Sequence, residues 1–246
     1  MRILTLLLAA FCAHGQIRIP GPGGVTASGG GGTFSLVSHT AAGSPNQNTV
    51  TTSAISTVGA NLIVVGLVSS LSSDSISDSQ GNTWMPLNQY GVNYGQPYVQ
   101  LFYAYPAVTS ATHTFTTTVS GGLPVLLVEA FSGAPAGPFD QQAGTTNNSS
   151  SGSPNYVSGG SITPGGSGYL FVTLVGGTEN GSTTTVNTVS SPFTLSDYVS
   201  YDGTGYTHFA GAMAYWIQNT GTATANPTWT ASGTYMYLTA SMASFH

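Results

Sequence analysis

Residues 61–68 read NLIVVGLV, and residues 168–175 read GYLFVTLV, a second apolar run of the same length. Weaker matches flank both runs in the same order, and their separation drifts only from 168 − 61 = 107 to 245 − 131 = 114 residues. Matches kept in order at one spacing indicate an internal repeat. The sequence therefore predicts two copies of one unit. The flanking matches pair 43–46 with 152–155, 54–56 with 161–163, Trp84 with Phe193, 103–105 with 213–215, 120–121 with 232–233, and Phe131 with Phe245.

Each copy consists of short segments rich in Val, Thr, Tyr and Phe, separated by clusters of Gly, Pro, Asn and Ser. This pattern is typical of all-β sandwiches, and a sandwich domain has about 100 residues, the length of one copy. We predict two tandem antiparallel β-sandwiches, Ig-like or jelly-roll, at 34–134 and 138–246. Strands are expected near 34–40, 50–56, 61–69, 82–89, 98–105, 112–119 and 124–132, and near 139–145, 155–163, 168–176, 192–200, 207–217, 226–231 and 235–245.

Two features bear on how the copies are arranged. The run from Leu62 to Val65 is continuously apolar, which favours a strand covered on both faces rather than one with a solvated face. The junction between the copies, Pro135 to Pro138, is short. The two sandwiches are therefore expected to pack against each other.

The N-terminus is typical of a secretory signal peptide. Arg2 precedes an apolar run from Ile3 to Phe11, and Ala13-His14-Gly15 provides small residues for cleavage. The run is too short to span a membrane. Residues 1–15 are predicted to be removed, so that the protein is secreted or lies at the cell surface. Cys12 is an alternative lipid anchor, but Phe11 occupies a position where a small residue is required.

Residues 16–33 form a segment rich in Gly and Pro, with four consecutive glycines at 29–32. Such a segment is typical of a flexible tether. Ile17, Ile19 and Val25 leave open a second interpretation, in which the segment adds as a strand to a neighbouring subunit.

The charge balance excludes some partners. After cleavage Arg18 would be the single cation against seven acidic residues, a net charge of 1 − 7 = −6, and the chain has no lysine. Binding to nucleic acid requires several basic residues to neutralise phosphates, and binding to anionic membranes requires a basic cluster. We predict no binding to nucleic acid and no membrane insertion. With 4% charged and 40% hydrophobic residues, the chain should fold with a neutral polar surface.

No catalytic motif is present in the sequence. It contains no Gly-x-Ser-x-Gly, no cysteine after cleavage, and only scattered histidines. Glu129 is the best candidate acid for a polysaccharide-active enzyme, since it interrupts an apolar strand, although its counterpart in copy two is near Ala243. An exposed polar strand position is the favoured interpretation of Glu129. The sequence predicts a protein that is not an enzyme.

Asp74 and Asp78 lie in the stretch SDSISDSQGNTW at 73–84. Two carboxylates among hydroxyl groups could bind Ca²⁺. Copy two lacks the pair, so the favoured interpretation is a polar turn that leads into Trp84, with carboxylates dispensable to the fold. Apart from Ca²⁺ at this pair, no cofactor is expected.

Four tyrosines in glycine-rich connections, Tyr90, Tyr94, Tyr201 and Tyr206, are candidate ligand-binding residues. Exposed aromatic rings suit stacking on carbohydrate or docking on another subunit. The alternative is that they close the ends of the sandwiches.

Copy one resembles uncharacterised bacterial secreted and surface proteins with Ig-like or jelly-roll sandwich repeats. The similarity rests on the segments at 59–66, 78–84, 103–105, 112–118 and 128–133, and it is fainter in copy two. It implies a fold and an extracellular location, not a reaction.

The expected function is that of a secreted, non-enzymatic structural or adhesive protein that associates with itself, with fibres as one expected form, or with extracellular glycan or matrix. A carbohydrate-binding module that uses the loop tyrosines and a polysaccharide-active enzyme are the alternatives.

Overall fold

The computed structural model describes residues 33–71, 74–91, 97–120, 122–147, 155–180, 185–202, 207–232 and 237–246. The predicted signal peptide and most of the glycine-rich segment, residues 1–32, lie outside the described residues. Within the described ranges the regular structure is entirely β-strand, and no helix there is long and apolar enough to cross a membrane.

Copy one contributes eight strands to two antiparallel sheets. They are β1 (Ser35–Gly43), β2 (Thr49–Thr51), β3 (Leu62–Ser69), β4 (Asp74–Asp78), β5 (Met85–Tyr90), β6 (Tyr98–Ala104), β7 (Phe115–Val119) and β8 (Val125–Ser132). The larger sheet has the order β1-β8-β3-β6-β5, and the smaller one has the order β2-β7-β4.

Copy two repeats this arrangement strand by strand. Its strands are β9 (Phe139–Asn147), β10 (Tyr156–Ser158), β11 (Tyr169–Asn180), β12 (Thr188–Val189), β13 (Thr194–Asp202), β14 (Thr207–Gln218), β15 (Thr228–Thr230) and β16 (Tyr237–Phe245). The sheet orders are β9-β16-β11-β14-β13 and β10-β15-β12. In both copies the first strand pairs with the eighth, the second with the seventh and the third with the sixth. This nested pairing is that of a jelly roll.

Three apolar cores separate four layers of sheet. One core lies between the sheets of copy one and includes Ile63, Phe115 and Val128. A second lies between the sheets of copy two around Trp229. The third contains side chains of both large sheets, including Leu62 of copy one. We call this third core the joint; it places the large sheets face to face and the small sheets on opposite outer sides.

The joint explains the continuous apolar runs. Every residue of β3 is buried, since Ile63, Val65 and Leu67 face the core of copy one while Leu62 and Val64 face the joint. The prediction of a strand covered on both faces is confirmed.

Aromatic contacts across the joint are reciprocal. Tyr103 of copy one meets Phe245 of copy two edge to face, with ring centroids 5.6 Å apart. Tyr215 of copy two meets Phe131 of copy one at the same 5.6 Å and in a similar orientation. The copies are therefore packed with an approximate two-fold relation.

Glycines allow the close approach of the large sheets. Gly176 and Gly211 are cross-strand partners on β11 and β14. A Cβ atom on Gly176 would lie 2.4 Å from a methyl carbon of Val68, and one on Gly211 would lie 2.8 Å from Val125. The apolar side chains of copy one thus pack directly on bare backbone of copy two.

The strand registers correct the sequence alignment by one residue at the first match. Leu62 pairs with Phe131, and Leu170 pairs with Phe245, so Leu62 corresponds to Leu170 at an offset of 170 − 62 = 108 rather than 107. Tyr103 pairs with Val64, and Tyr215 pairs with Val172, the counterpart of Val64, so Tyr103 corresponds to Tyr215 rather than to Met213, a correction of two residues. A strand that is apolar on both faces has no alternation that would fix its register.

Residues 74–78 also differ from the expectation. They form β4, paired with β7, where the sequence favoured a turn. The turn is shorter and lies at 79–82, where Gly81 has a φ of 71°, in the left-handed region that favours glycine.

Candidate functional site

Asp78, at the end of β4, is a buried hydrogen-bond hub. Its carboxylate accepts bonds from the backbone N–H groups of Gln80 (2.7 Å) and Asn82 (3.1 Å), from the Asn82 amide (3.2 Å) and from the Trp84 indole (3.0 Å). His113 Nε2 lies 2.9 Å away, and neither side chain of this ion pair is exposed. The expectation that the carboxylate is dispensable to the fold is therefore wrong for Asp78.

His113 extends the hub into copy one. Its Nδ1 lies 2.9 Å from the Thr57 hydroxyl, and its ring stacks on Phe115. Trp84 meets the same Phe115 edge to face. The hub thus ties the turn at 79–82 to the core, and its arrangement is structural.

Asp74 and Asp78 lie at opposite ends of β4. Four residues at about 3.3 Å each place their Cα atoms about 13 Å apart. Both oxygens of Asp78 are already occupied by protein donors, and the described residues contain no cluster of three His, Cys, Asp or Glu side chains that could hold a metal. Calcium binding at the pair stays a prediction, and an ion there would have to displace bonds of the hub.

Two of the four candidate tyrosines line the joint. Tyr90 of β5 packs on Gly144 of β9, where a Cβ atom would lie 2.6 Å from its ring. Tyr201 of β13 packs in the same way over Gly43 of β1 and stacks on Phe209. Both are half-buried strand residues and not exposed loop residues.

Tyr201 is also tied by its hydroxyl, which donates a bond to the Pro124 carbonyl at 3.0 Å. Burial raises the pKa of this phenol well above its usual range. Tyr94 and Tyr206 lie outside the described residues, so ligand binding by them stays a prediction.

The most unusual buried group is Glu129, in the middle of β8. It is fully buried and faces the joint, beside His39 of β1 in the pairing register. The expectation of an exposed position is wrong, because copy two covers this face. Among the described residues one carboxyl oxygen, Oε2, has no hydrogen-bond partner, and the other contacts the Ser196 hydroxyl at 2.5 Å.

A β-bulge in β13 places Ser196 and Asp197 beside Glu129. Ser196 and Asp197 together oppose Met213, and this extra residue turns the Ser196 hydroxyl toward Glu129. Asp197 accepts a bond from His39 Nδ1 at 2.8 Å, at a partly exposed rim where the side chains are 42% (His39) and 22% (Asp197) exposed.

Burial dominates the electrostatics of this cluster. It raises the pKa of Glu129 to about 8, a rise that the Ser196 hydrogen bond opposes and the nearby Asp197 charge reinforces. The pKa of Asp197 is also raised, mainly by burial, although His39 lowers it. Burial and then the Glu129 charge raise the pKa of Tyr215.

The corresponding place in the other copy is neutral. β5 carries the same bulge, with Leu87 and Asn88 opposite Leu101. The Asn88 N–H donates to the Gln142 side chain of β9 at 2.6 Å, and Ala243 occupies the position of Glu129. The fold therefore does not require the ionisable cluster.

The outer face of the small sheet of copy one is an array of hydroxyl groups. Alternate residues of β2, β7 and β4 and of their extensions point away from the core, and all nine are Ser or Thr. Paired hydroxyls bond across strands, at 2.8 Å for Thr51 with Thr116 and 3.1 Å for Thr49 with Thr118. The nine are Thr49, Thr51, Ser53, Ser75, Ser77, Ser79, Thr114, Thr116 and Thr118.

The outer face of copy two has the same neutral character. Ser158 donates to the Asn226 amide oxygen at 2.6 Å, and Thr163 and Thr224 share a bond of 2.8 Å. Tyr156, exposed at 52%, adds an aromatic ring that copy one lacks at its equivalent position, Thr49. We call these surfaces the copy-one face and the copy-two face.

The sequence reasoning missed both outer faces and the partners of Glu129. The alternation of Thr114, Thr116 and Thr118 was the available signal for the first. No local pattern marks Ser196, since it meets Glu129 only through the packing of the two copies, or His39, since it meets Glu129 through the pairing of two strands far apart in the chain.

The fold and these surfaces define a two-copy jelly-roll protein with a buried joint and two hydroxyl-rich outer faces. Comparison of the chain with protein-family models, with curated proteins and with solved structures finds no significant match to any of them.

Proposed function

We propose that the protein is a secreted, non-enzymatic structural or adhesive component outside the cell, which associates with further copies of itself through its two outer faces. The observation that carries the proposal is the pair of neutral, hydroxyl-rich faces on opposite sides of one four-layered body. The signal-like sequence of residues 1–15 supports the extracellular location.

The chemistry of the faces favours contact with a neutral surface. The nine positions of the copy-one face have no ionisable side chain, so no charge has to be desolvated or neutralised on contact. Threonine combines a hydroxyl with a methyl group, and cross-strand Thr pairs hold the array in place. Low charge also reduces the repulsion that keeps proteins apart.

The geometry favours head-to-tail contact. The two faces differ, because Tyr156 and Asn226 belong only to the copy-two face. Contact between unlike faces does not close a dimer and generates an open chain of molecules. Binding of glycan or matrix to the same faces is the alternative outcome.

Replacing Ser77 with lysine should weaken self-association, because it places a positive charge on the copy-one face, in its edge strand β4. Light scattering should show a molar mass that rises with the concentration of the protein. For Ser77→Lys the same rise should occur only at higher concentration. Val58→Lys is the control, since Val58 is 61% exposed in the loop between β2 and β3, off the face.

A protein that stays monomeric at the highest concentration would reject self-association. A monomer that is retained on an insoluble polysaccharide, with retention lost in Ser77→Lys, would instead support the glycan alternative.

A further inference from the structure

The two edges of the joint are equivalent in backbone but not in chemistry. At one edge the β13 bulge meets β1, with Glu129, Ser196, Asp197 and His39. At the other edge the β5 bulge meets β9, and every corresponding side chain is neutral. The molecule therefore contains an ionisable edge and, as its own reference, a second edge at which the corresponding positions are neutral. We call this second edge the neutral edge, although β9 also carries Asp140, which is bonded by Ser244.

The Ser196 hydroxyl has two acceptors within hydrogen-bonding distance and one hydrogen to donate. Its hydroxyl lies 2.8 Å from the Met213 carbonyl and also contacts Glu129. A carbonyl oxygen only accepts, and a serine hydroxyl has a single hydrogen. When that hydrogen bonds Met213, a proton on Glu129 completes the second bond; an ionised Glu129 instead takes the serine hydrogen, and the Met213 carbonyl loses this bond.

We propose that the β1–β13 edge of the joint is a pH-sensitive latch, in which protonated Glu129 holds the β13 bulge against copy one and loss of that proton loosens this edge while the β5–β9 edge stays closed.

The surroundings of Glu129 explain why its ionised form is unfavourable. The ionisable groups that face it are His39 on β1, Asp197 on β13 and Tyr215 on β14, whereas β3 presents Val64. Asp197 repels a carboxylate, and His39 is bonded to Asp197 rather than to Glu129. No donor within the described part of the chain reaches Oε2, so an ionised Glu129 would also leave this oxygen unsatisfied in the core.

The direction of the pH effect follows from linkage. Burial raises the pKa of Glu129 from 4.5 to about 8, so the closed edge binds the proton more tightly than the open edge. The latch is at full strength below pH 4.5, weakens as the pH rises, and reaches its weakest state above about pH 8. The partly exposed His39 and Asp197 place the rim of this edge next to solvent.

Amide hydrogen exchange of the whole protein at pH 6 and pH 9 tests the latch. After correction for the intrinsic pH dependence of exchange, the protection of peptides from 35–43 and 194–202 should fall on the order of 100-fold between pH 6 and pH 9. This is the change expected if the Glu129 carboxyl has its ordinary pKa when the edge is open and the raised pKa when it is closed. Peptides from 85–90 and 139–147, at the neutral edge, should change much less.

Variants separate the latch from general alkaline loosening. Glu129→Gln should abolish the difference between the two edges, and Glu129→Ala, which copies Ala243, should do the same if the glutamine variant fails to fold. Asp197→Asn should keep the transition but move it to lower pH, because it removes the repelling charge. Equal loss of protection at both edges of the protein, or an unchanged difference in the Glu129 variants, would overturn the proposal.

Discussion

Replacing Glu129 with glutamine should remove most of a fall in stability between pH 5 and pH 8. In the unsubstituted protein, burial raises the pKa of Glu129 from 4.5 to about 8. The loss of its proton between pH 5 and pH 8 therefore lowers the free energy of unfolding by about 3 kcal/mol. Glutamine has nearly the same size and cannot ionise, so its free energy of unfolding should vary less with pH. Urea denaturation at pH 5, 6.5 and 8 measures the effect.

The two unfolding profiles should meet below pH 4.5, where Glu129 is protonated in both the folded and the unfolded state, and separate as the pH rises, with the glutamine variant the more stable at pH 8. Titrating groups elsewhere are common to both proteins and cancel in the difference. Parallel profiles across the range would show that Glu129 does not titrate as a buried group.

Replacing Asp78 with alanine should destabilise the protein by about 3–5 kcal/mol, the usual cost of leaving a buried charge or donor set without its partner. The substitution strips the acceptor from His113, from the Trp84 indole and from two backbone N–H groups. The shift in urea midpoint at constant slope measures the loss.

Asp202→Ala is the matched control for Asp78→Ala. It also removes the carboxylate of a His–Asp pair, with His208 at 2.9 Å, but the Asp202 side chain is 74% exposed. Exposed pairs contribute about 0–1 kcal/mol, so the control should lose little stability. Similar losses in the two variants would contradict the role assigned to the Asp78 hub.

The sequence was sufficient to predict the all-β class and the repeat, because both are local signals: short strands between turn residues, and ordered matches. It also predicted double coverage of the run at 62–65. The sequence could not fix the register of that run, since Leu62 to Val65 offers no polar face for comparison with copy two.

Glu129 shows what local patterns cannot reveal. Alternation places it on the face opposite Val128, but whether that face meets water depends on the other copy. Its partner Ser196 is 67 residues away in the chain. The prediction for Asp78 was wrong for another reason. Comparison with copy two showed that the fold can form without an acidic residue at this position, whereas the turn in copy one is built around one.

Imaging of the concentrated protein by electron microscopy tests the proposed assembly most directly. Head-to-tail stacking through the outer faces would repeat once per four sheet layers, and layers about 10 Å apart give an axial repeat of about 40 Å. We expect filaments with that repeat, and fewer of them for Ser77→Lys. Single dispersed particles, or filaments whose repeat does not match four stacked sheets, would contradict assembly through the outer faces.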